Sequence, residues 1–178
     1  MTAVEDFELE KISQLTTPNK VLAIVRQIDN GKPVVKGKIT LALDNIQDPG
    51  NLGTILRTAD WFGLEQIVCS NDSADVYNPK VVQATMGSIT RVKVFYVDLV
   101  QWLAEQKDTR IYAAVLEGQD ISTVKKITDG IILIGNESKG ISETALKLAN
   151  VKLTISKKGK AESLNAAVAA GIVLSYIT

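Results

Sequence analysis

The chain has 178 residues, 46% of them hydrophobic, enough for one substantial core and too few for several independent ones. Its 20 basic and 20 acidic residues cancel, so any polyanion site has to be a local patch and not a property of the whole surface. Histidine is absent and cysteine occurs once, at Cys69, which excludes an intrachain disulfide framework, a cysteine zinc cluster, and Ser-His-Asp or Cys-His nucleophilic catalysis.

The opening MTAVEDFELEK is acidic and has no basic segment followed by an apolar run, so it does not read as a secretory signal. No apolar stretch reaches membrane-spanning length. A cytoplasmic protein without membrane or metal partners is expected, and the glycosylation sequons at Asn71 and Asn136 are chance matches. An acidic helical segment covers Val4 to Leu15, followed by a Thr-Thr-Pro-Asn turn, an apolar strand from Val21 to Val25, and the turn sequence Asp29-Asn30-Gly31-Lys32-Pro33. Residues 1–36 therefore form an arm too small for its own core, and 37–178 the main domain.

Beyond Gly37, short β-branched runs bounded by Gly, Asn, Asp or Ser recur at Ile39–Leu43, Gln66–Cys69, Val92–Val97, Arg110–Leu116, Gly130–Ile134 and Val151–Ile155, and these read as strands. Helical patterns lie between most of them: Leu52–Phe62 closed by Gly63, Lys80–Met86 closed by Gly87, Leu99–Gln106, Glu143–Leu148 entered through Ser142, and Leu164–Tyr176 entered through Ser163. The alternation predicts an α/β fold with a mostly parallel sheet flanked by helices. The last helix, rich in small residues on all sides, reads as a central helix packed closely against its neighbours.

Three strands end in polar clusters, and α/β sheets put their ligands at the carboxyl ends of strands. The first, Asn45–Arg57, turns into a helix through Asp48-Pro49-Gly50, with Asn51 placed to cap it. Arg57 lies six residues after Asn51, where a guanidinium is either a structural ion-pair partner or a fork for phosphate or carboxylate. The second, Gly135–Gly140, holds Asn136, Glu137, Ser138 and Lys139 between its glycines and is neither a Walker loop nor a dinucleotide fingerprint. Its glycines serve a tight turn or a close approach of backbone to ligand, and Glu137 is either an exposed loop carboxylate or a group that accepts from a ligand amine or orients an arginine. The third, Ile155–Asn165, carries Lys157, Lys158 and Lys160, either simply solvated or a local phosphate contact, and ends in Ser163 and Asn165, both plausible helix caps.

Together these clusters resemble the three motifs of the SpoU (TrmH-like) RNA ribose 2′-O-methyltransferases of the SPOUT superfamily. The likeness is carried by Asn45, Asp48-Pro49-Gly50-Asn51-Leu52-Gly53, Arg57-Thr58-Ala59-Asp60 and Phe62-Gly63, then Gly135-Asn136-Glu137 with Gly140-Ile141, then Ile155, Gly159, Ser163-Leu164-Asn165 and Val168-Ala169. Asp75, Tyr77-Asn78-Pro79-Lys80 and Met86-Gly87 add the family's middle segment, so the match runs in order from about Lys38 to the C-terminus.

The resemblance implies a C-terminal trefoil knot, S-adenosyl-L-methionine as cofactor, a homodimer with its site at the subunit interface, and methyl transfer to a ribose 2′-hydroxyl of structured rRNA or tRNA. It puts Gly135, Asn136, Gly140, Ile155, Gly159 and Leu164 against the cofactor, and Arg57, Asn51, Glu137, Ser163 and Asn165 on the catalytic positions. Lys80, Lys157, Lys158 and Lys160 are the expected RNA contacts. A guanidinium keeps its proton, so a phosphate clamp suits Arg57 better than the role of base. The chain departs from the family at Ser156 and Lys157, where proline and a hydrophobic residue are usual, and at Gln83, where a basic residue is common. Ile12–Gln27 resembles only the tail of the L30e-like substrate-binding domain that many relatives carry. The alternatives are a non-catalytic RNA-binding or assembly module on the same fold and an unknotted α/β nucleotide-binding protein.

Overall fold

The computed structural model describes residues 2–13, 17, 19–27 and 30–178. A short helix, α1 (Asp6–Ile12), is closed at its start by a capping box in which Glu5 and Glu8 exchange side-chain and backbone bonds. The expected helix thus ends earlier than Leu15, a residue outside those described, as are parts of the two turns assigned to the arm. Val21–Val25 forms no strand. Its apolar side chains stand in solvent, Ile24 95% exposed, because β propensity yields a strand only where a neighbouring edge supplies hydrogen bonds, and none lies alongside among the described residues.

From residue 39 the six expected strands all form: β1 (Ile39–Asp44), β2 (Gln66–Ser70), β3 (Lys93–Val97), β4 (Ile111–Asp120), β5 (Gly130–Gly135) and β6 (Val151–Thr154). Five helices alternate with them: α2 (Pro49–Trp61), α3 (Pro79–Ala84), α4 (Leu99–Glu105), α5 (Glu143–Leu146) and α6 (Ala166–Ile177). The sheet order is β3-β2-β1-β5-β4-β6, and every pairing is parallel. Both faces are buried, as a parallel sheet requires. Leu41, Leu43, Ile132 and Ile134 point into a core with α2 and α6, whereas Ala42, Ile131 and Leu133 alternate to the other face, against Leu99, Trp102 and Leu103 of α4. Cys69 is sealed in the first core, where burial pushes its thiol up to about 12 and leaves it inert.

Two caps differ from expectation. Asp48, not Asn51, caps α2, its carboxylate accepting from the Asn51 amide at 2.7 Å, because Pro49 takes the first helical position and moves the helix start forward. Asn165, not Ser163, caps α6 through bonds from Ala167 and Val168 amides at 2.9 and 3.3 Å. Ser142 precedes α5 as expected, without a side-chain capping bond.

Gly53 explains how α2 and α3 approach each other. A Cβ there would sit 2.5 Å from that of Ala84 and 2.7 Å from the Val81 carbonyl, so no other residue fits at this crossing. The far end of α2 is tied down by Asp60, which accepts from Ser88 Oγ at 2.6 Å and from Arg91 Nη2 at 2.6 Å. The Arg91 hydrogen bonds, then that of Ser88, hold the Asp60 carboxyl below the usual range. A folded value below the unfolded one contributes stability at pH values above the unfolded value, and that contribution disappears as pH falls through the folded one. Asp60→Asn should therefore lose about 1 kcal/mol or less at neutral pH, the pair being partly solvated. The gap to wild type should close below about pH 4 in urea-unfolding midpoints measured against pH.

Candidate active site

The sheet reverses direction of winding at β1, which is flanked by β2 and β5, and loops leaving neighbouring strands there diverge to opposite sides and open a crevice. The register brings Asp44 and Gly135, the last residues of β1 and β5, side by side, so the first and second clusters emerge together. Asp44 is buried and its carboxylate accepts from the Ser142 amide at 2.8 Å, locking the return of the second loop against the start of the first. Asn45 sits in the left-handed region, φ 58°, with its amide donating to Ser70 Oγ at 2.8 Å.

The second loop is built tightly. Asn136 and Gly140 exchange backbone bonds of 3.1 and 2.8 Å, and the Asn136 side chain donates to the Asn45 carbonyl at 2.9 Å while accepting from the amides of Ser138 and Lys139. Asn136 is thus occupied in holding the loop through its side chain and its backbone alike. Gly135 is required by close approach, since a Cβ would lie 2.3 Å from both Gly140 C and Ile141 N. Gly140 turns the loop with φ 69°.

The three clusters meet in one chain of side-chain hydrogen bonds. Asn165 Nδ2 donates to Asn51 Oδ1 at 2.9 Å, and Asn51 Nδ2 donates to Glu137 Oε1. Asn165 Oδ1 is already engaged by the first amides of α6, so its amide group can only donate onward, and the orientation of Asn51 follows. Glu137 therefore orients an asparagine and not an arginine. Arg57, on the exposed side of α2 six residues beyond Asn51, makes no hydrogen bond or ion pair among the described residues. The ion-pair alternative for Arg57 is not realised among the described residues.

The third loop leaves β6 beside a bulge in β4. Ile155 is half-buried against the core, whereas 156–165 are exposed. Ser156 Oγ donates to Asp120, whose carboxyl is held below its usual range by Ser122 and then Ser156, and Thr154 Oγ1 donates to the Leu116 carbonyl at 2.9 Å. The departure from proline at Ser156 thus comes with a tether to β4, a role the sequence alone did not disclose because its partner lies 36 positions away. None of the backbone amides or carbonyls of 156–164 is hydrogen-bonded within the chain among the described residues. Beside the apolar Leu164, 44% exposed, they offer donors and acceptors to a ligand. Ser163 has no hydrogen bond among the described residues, Gly159 has open space around it, and Lys80, Lys157, Lys158 and Lys160 are exposed and unpaired. No group of three or more Asp, Glu or Cys residues able to hold a metal occurs among the described residues.

A wholly parallel sheet with strand-end loops converging at its switch point defines an α/β protein that binds its ligand across that crevice. A model of the SpoU rRNA Methylase family matches residues 38–175. The chain belongs to that family. It is 30% identical to the Bacillus subtilis (strain 168) 23S rRNA (guanosine(2553)-2′-O)-methyltransferase RlmP, across 93% of this chain and 67% of that protein. A TrmH-family structure from Porphyromonas gingivalis superposes with a TM-score of 0.84 at 38% identity, covering 97% of this chain and 71% of the other. The SpoU methyltransferase AviRb from Streptomyces viridochromogenes, solved in complex with the cofactor AdoMet, gives 0.73 at 28% identity over 81% of this chain and 60% of the other. The chain thus spans roughly two-thirds of the length of such relatives.

The hydrogen-bond chain makes a directional prediction. Asn51→Asp replaces the donor facing Glu137 by a second carboxylate and should cost roughly 2 to 3 kcal/mol. Adding Glu137→Gln restores a donor and should recover most of that loss, as read from melting temperatures of the single and double variants.

Proposed function

We propose that this protein transfers a methyl group from S-adenosyl-L-methionine to a ribose 2′-hydroxyl of structured rRNA or tRNA. The observation that carries the reading is the hydrogen-bonded line Asn165–Asn51–Glu137, which unites all three family motifs over the switch point. The free backbone groups of 156–164 and the apolar Leu164 suit an adenosine moiety, and Gly135, Asn136, Gly140, Ile155 and Gly159 would complete its cradle mainly through backbone. The cofactor, when bound, supplies an electrophilic sulfonium methyl.

The chain's own residues align the acceptor. Arg57 clamps the phosphate next to the reacting ribose, its guanidinium being a bidentate fork that stays protonated. Glu137 fixes Asn51, Asn51 and Asn165 fix the start of α6, and Ser163 offers a free hydroxyl at the same edge. Alignment of this kind can supply on the order of 7 to 11 kcal/mol. Lys80, Lys157, Lys158 and Lys160 contact RNA phosphates around the pocket.

The protein works as a homodimer, with α2 and α6 at the interface. Supporting this, Trp61, one helical turn beyond Arg57, is 86% exposed, and Val168 and Tyr176 of α6 are exposed too. The C-terminal segment is knotted. In support, Ile127, in the loop before β5, donates to the Ile177 carbonyl at 2.8 Å and holds the end of the chain against that loop. Residues 1–36 are the arm and 37–178 the catalytic domain. The uncovered run Val21–Val25 fits the tail of an L30e-like substrate-binding domain. Ribosomal and transfer RNA set the work in the cytoplasm.

Tritiated-methyl transfer from S-adenosyl-L-methionine to ribosomal RNA tests the reading. Wild type should label RNA, and Arg57→Ala should fall by roughly 10²-fold with cofactor binding by calorimetry unchanged. Cofactor binding without any transfer by wild type would favour a non-catalytic RNA-binding module.

A further inference from the structure

Away from the strand ends that carry the active site, a cleft of about 390 Å³ opens between β4, β6 and the loop leading into β5. It is lined by Arg110, Lys125 and Lys126, together with Tyr112, Gln119 and Thr123, and by no carboxylate. Three cations converging without an anion are notable in a chain whose 20 basic and 20 acidic residues balance. None of the three forms an ion pair among the described residues, and Asp120 and Asp129, close in sequence, stay out of the lining.

The cleft is built and not merely a gathering of surface lysines. Val124 donates to the Ile121 carbonyl at 3.1 Å and Ile127 to that of Ile177 at 2.8 Å, so the backbone on either side of Lys125 and Lys126 is pinned. Val124 and Ile127 pack against the core that holds Tyr112 and Val151. Gln119 Nε2 donates to Thr123 Oγ1 at 3.1 Å, bracing the opposite wall. Tyr112 is only 7% exposed, and its hydroxyl has no partner among the described residues.

The geometry points to a second phosphate-binding site, contacting the backbone of the substrate RNA at a distance from the reacting ribose. Arg110 accepts through its carbonyl from Ile131, at the amino end of β5, whereas the active-site loop starts at Gly135. Four residues of strand separate the two levels by about 13 Å. A guanidinium, two ammonium groups and a phenol hydroxyl are donors suited to phosphate oxygens. Such a contact holds a folded RNA in register without selecting its sequence, which a neutral protein needs from local patches. This inference rests on the RNA reading above and deepens it.

The test is fluorescence anisotropy of a labelled RNA hairpin of arbitrary sequence, titrated at several salt concentrations with wild type and with the triple variant Arg110→Ala, Lys125→Ala, Lys126→Ala. The variant should bind more weakly, with the slope of log K against log salt reduced by about 2 to 3. In methyl-transfer assays its KM for RNA should rise, with kcat at saturating RNA, cofactor affinity and melting temperature unchanged. The charge-keeping variant Arg110→Lys, Lys125→Arg, Lys126→Arg should retain the wild-type slope. An unchanged slope and KM in the alanine variant overturn the inference, as does calorimetric binding of sodium phosphate that the alanine variant loses while its RNA binding stays at the wild-type level, which would mark a site for the free anion. RNA binding lost in the variant while wild type transfers no methyl overturns the enzymatic reading instead, and leaves this one standing.

Discussion

The parallel pairing of β1 with β5 is the constraint on which the rest of the molecule depends. Six consecutive residue pairs, from Ile39 opposite Gly130 to Asp44 opposite Gly135, place two segments about ninety positions apart in fixed register. A slip of one residue would exchange the two buried faces of the slipped strand, and Asp44 would no longer meet the Ser142 amide. Because both faces of the sheet are covered, there is no solvated side to absorb such a slip. The strand ends are therefore held as firmly as the core, and polar loops built on them inherit that rigidity.

On this base the site is assembled from amides more than from charges. Asn51, Asn136 and Asn165 each use both ends of the carboxamide, Asn45 bonds through its backbone, and Glu137 is the one carboxylate in the line. An amide offers a donor and an acceptor in fixed geometry without the desolvation cost of an ion. This leaves Arg57 as a cation with no ion pair among the described residues.

Membership in the SpoU rRNA methylase family accounts for the order of the motifs, while the departures show how the same architecture is maintained with other residues. Where proline is usual, Ser156 reaches Asp120 and ties the third loop to the bulge of β4, and Thr154 adds a second tie to Leu116. The bulge brings Gly118 so close to the Lys152 carbonyl that a Cβ would lie 2.6 Å from it. Two hydroxyls across the strands tie this loop down.

The sequence by itself determined the alternating α/β order, the six strands to within a residue or two except at the far end of β4, and the three polar clusters, because periodicity and turn chemistry are local. It misjudged what depends on a partner. Val21–Val25 has strand composition without a strand beside it, and the helix caps at Asp48 and Asn165 were displaced by three and two positions, since Asn51 and Ser163 are equally good caps in isolation. Only the tertiary structure decided that Asn51 would bond to Glu137 and Asn165, at separations of 86 and 114 residues, and that Arg110, Lys125 and Lys126 would share a cleft. Those pairings arise when sheet register and helix packing fix where each side chain lies, and no spacing along the chain records them.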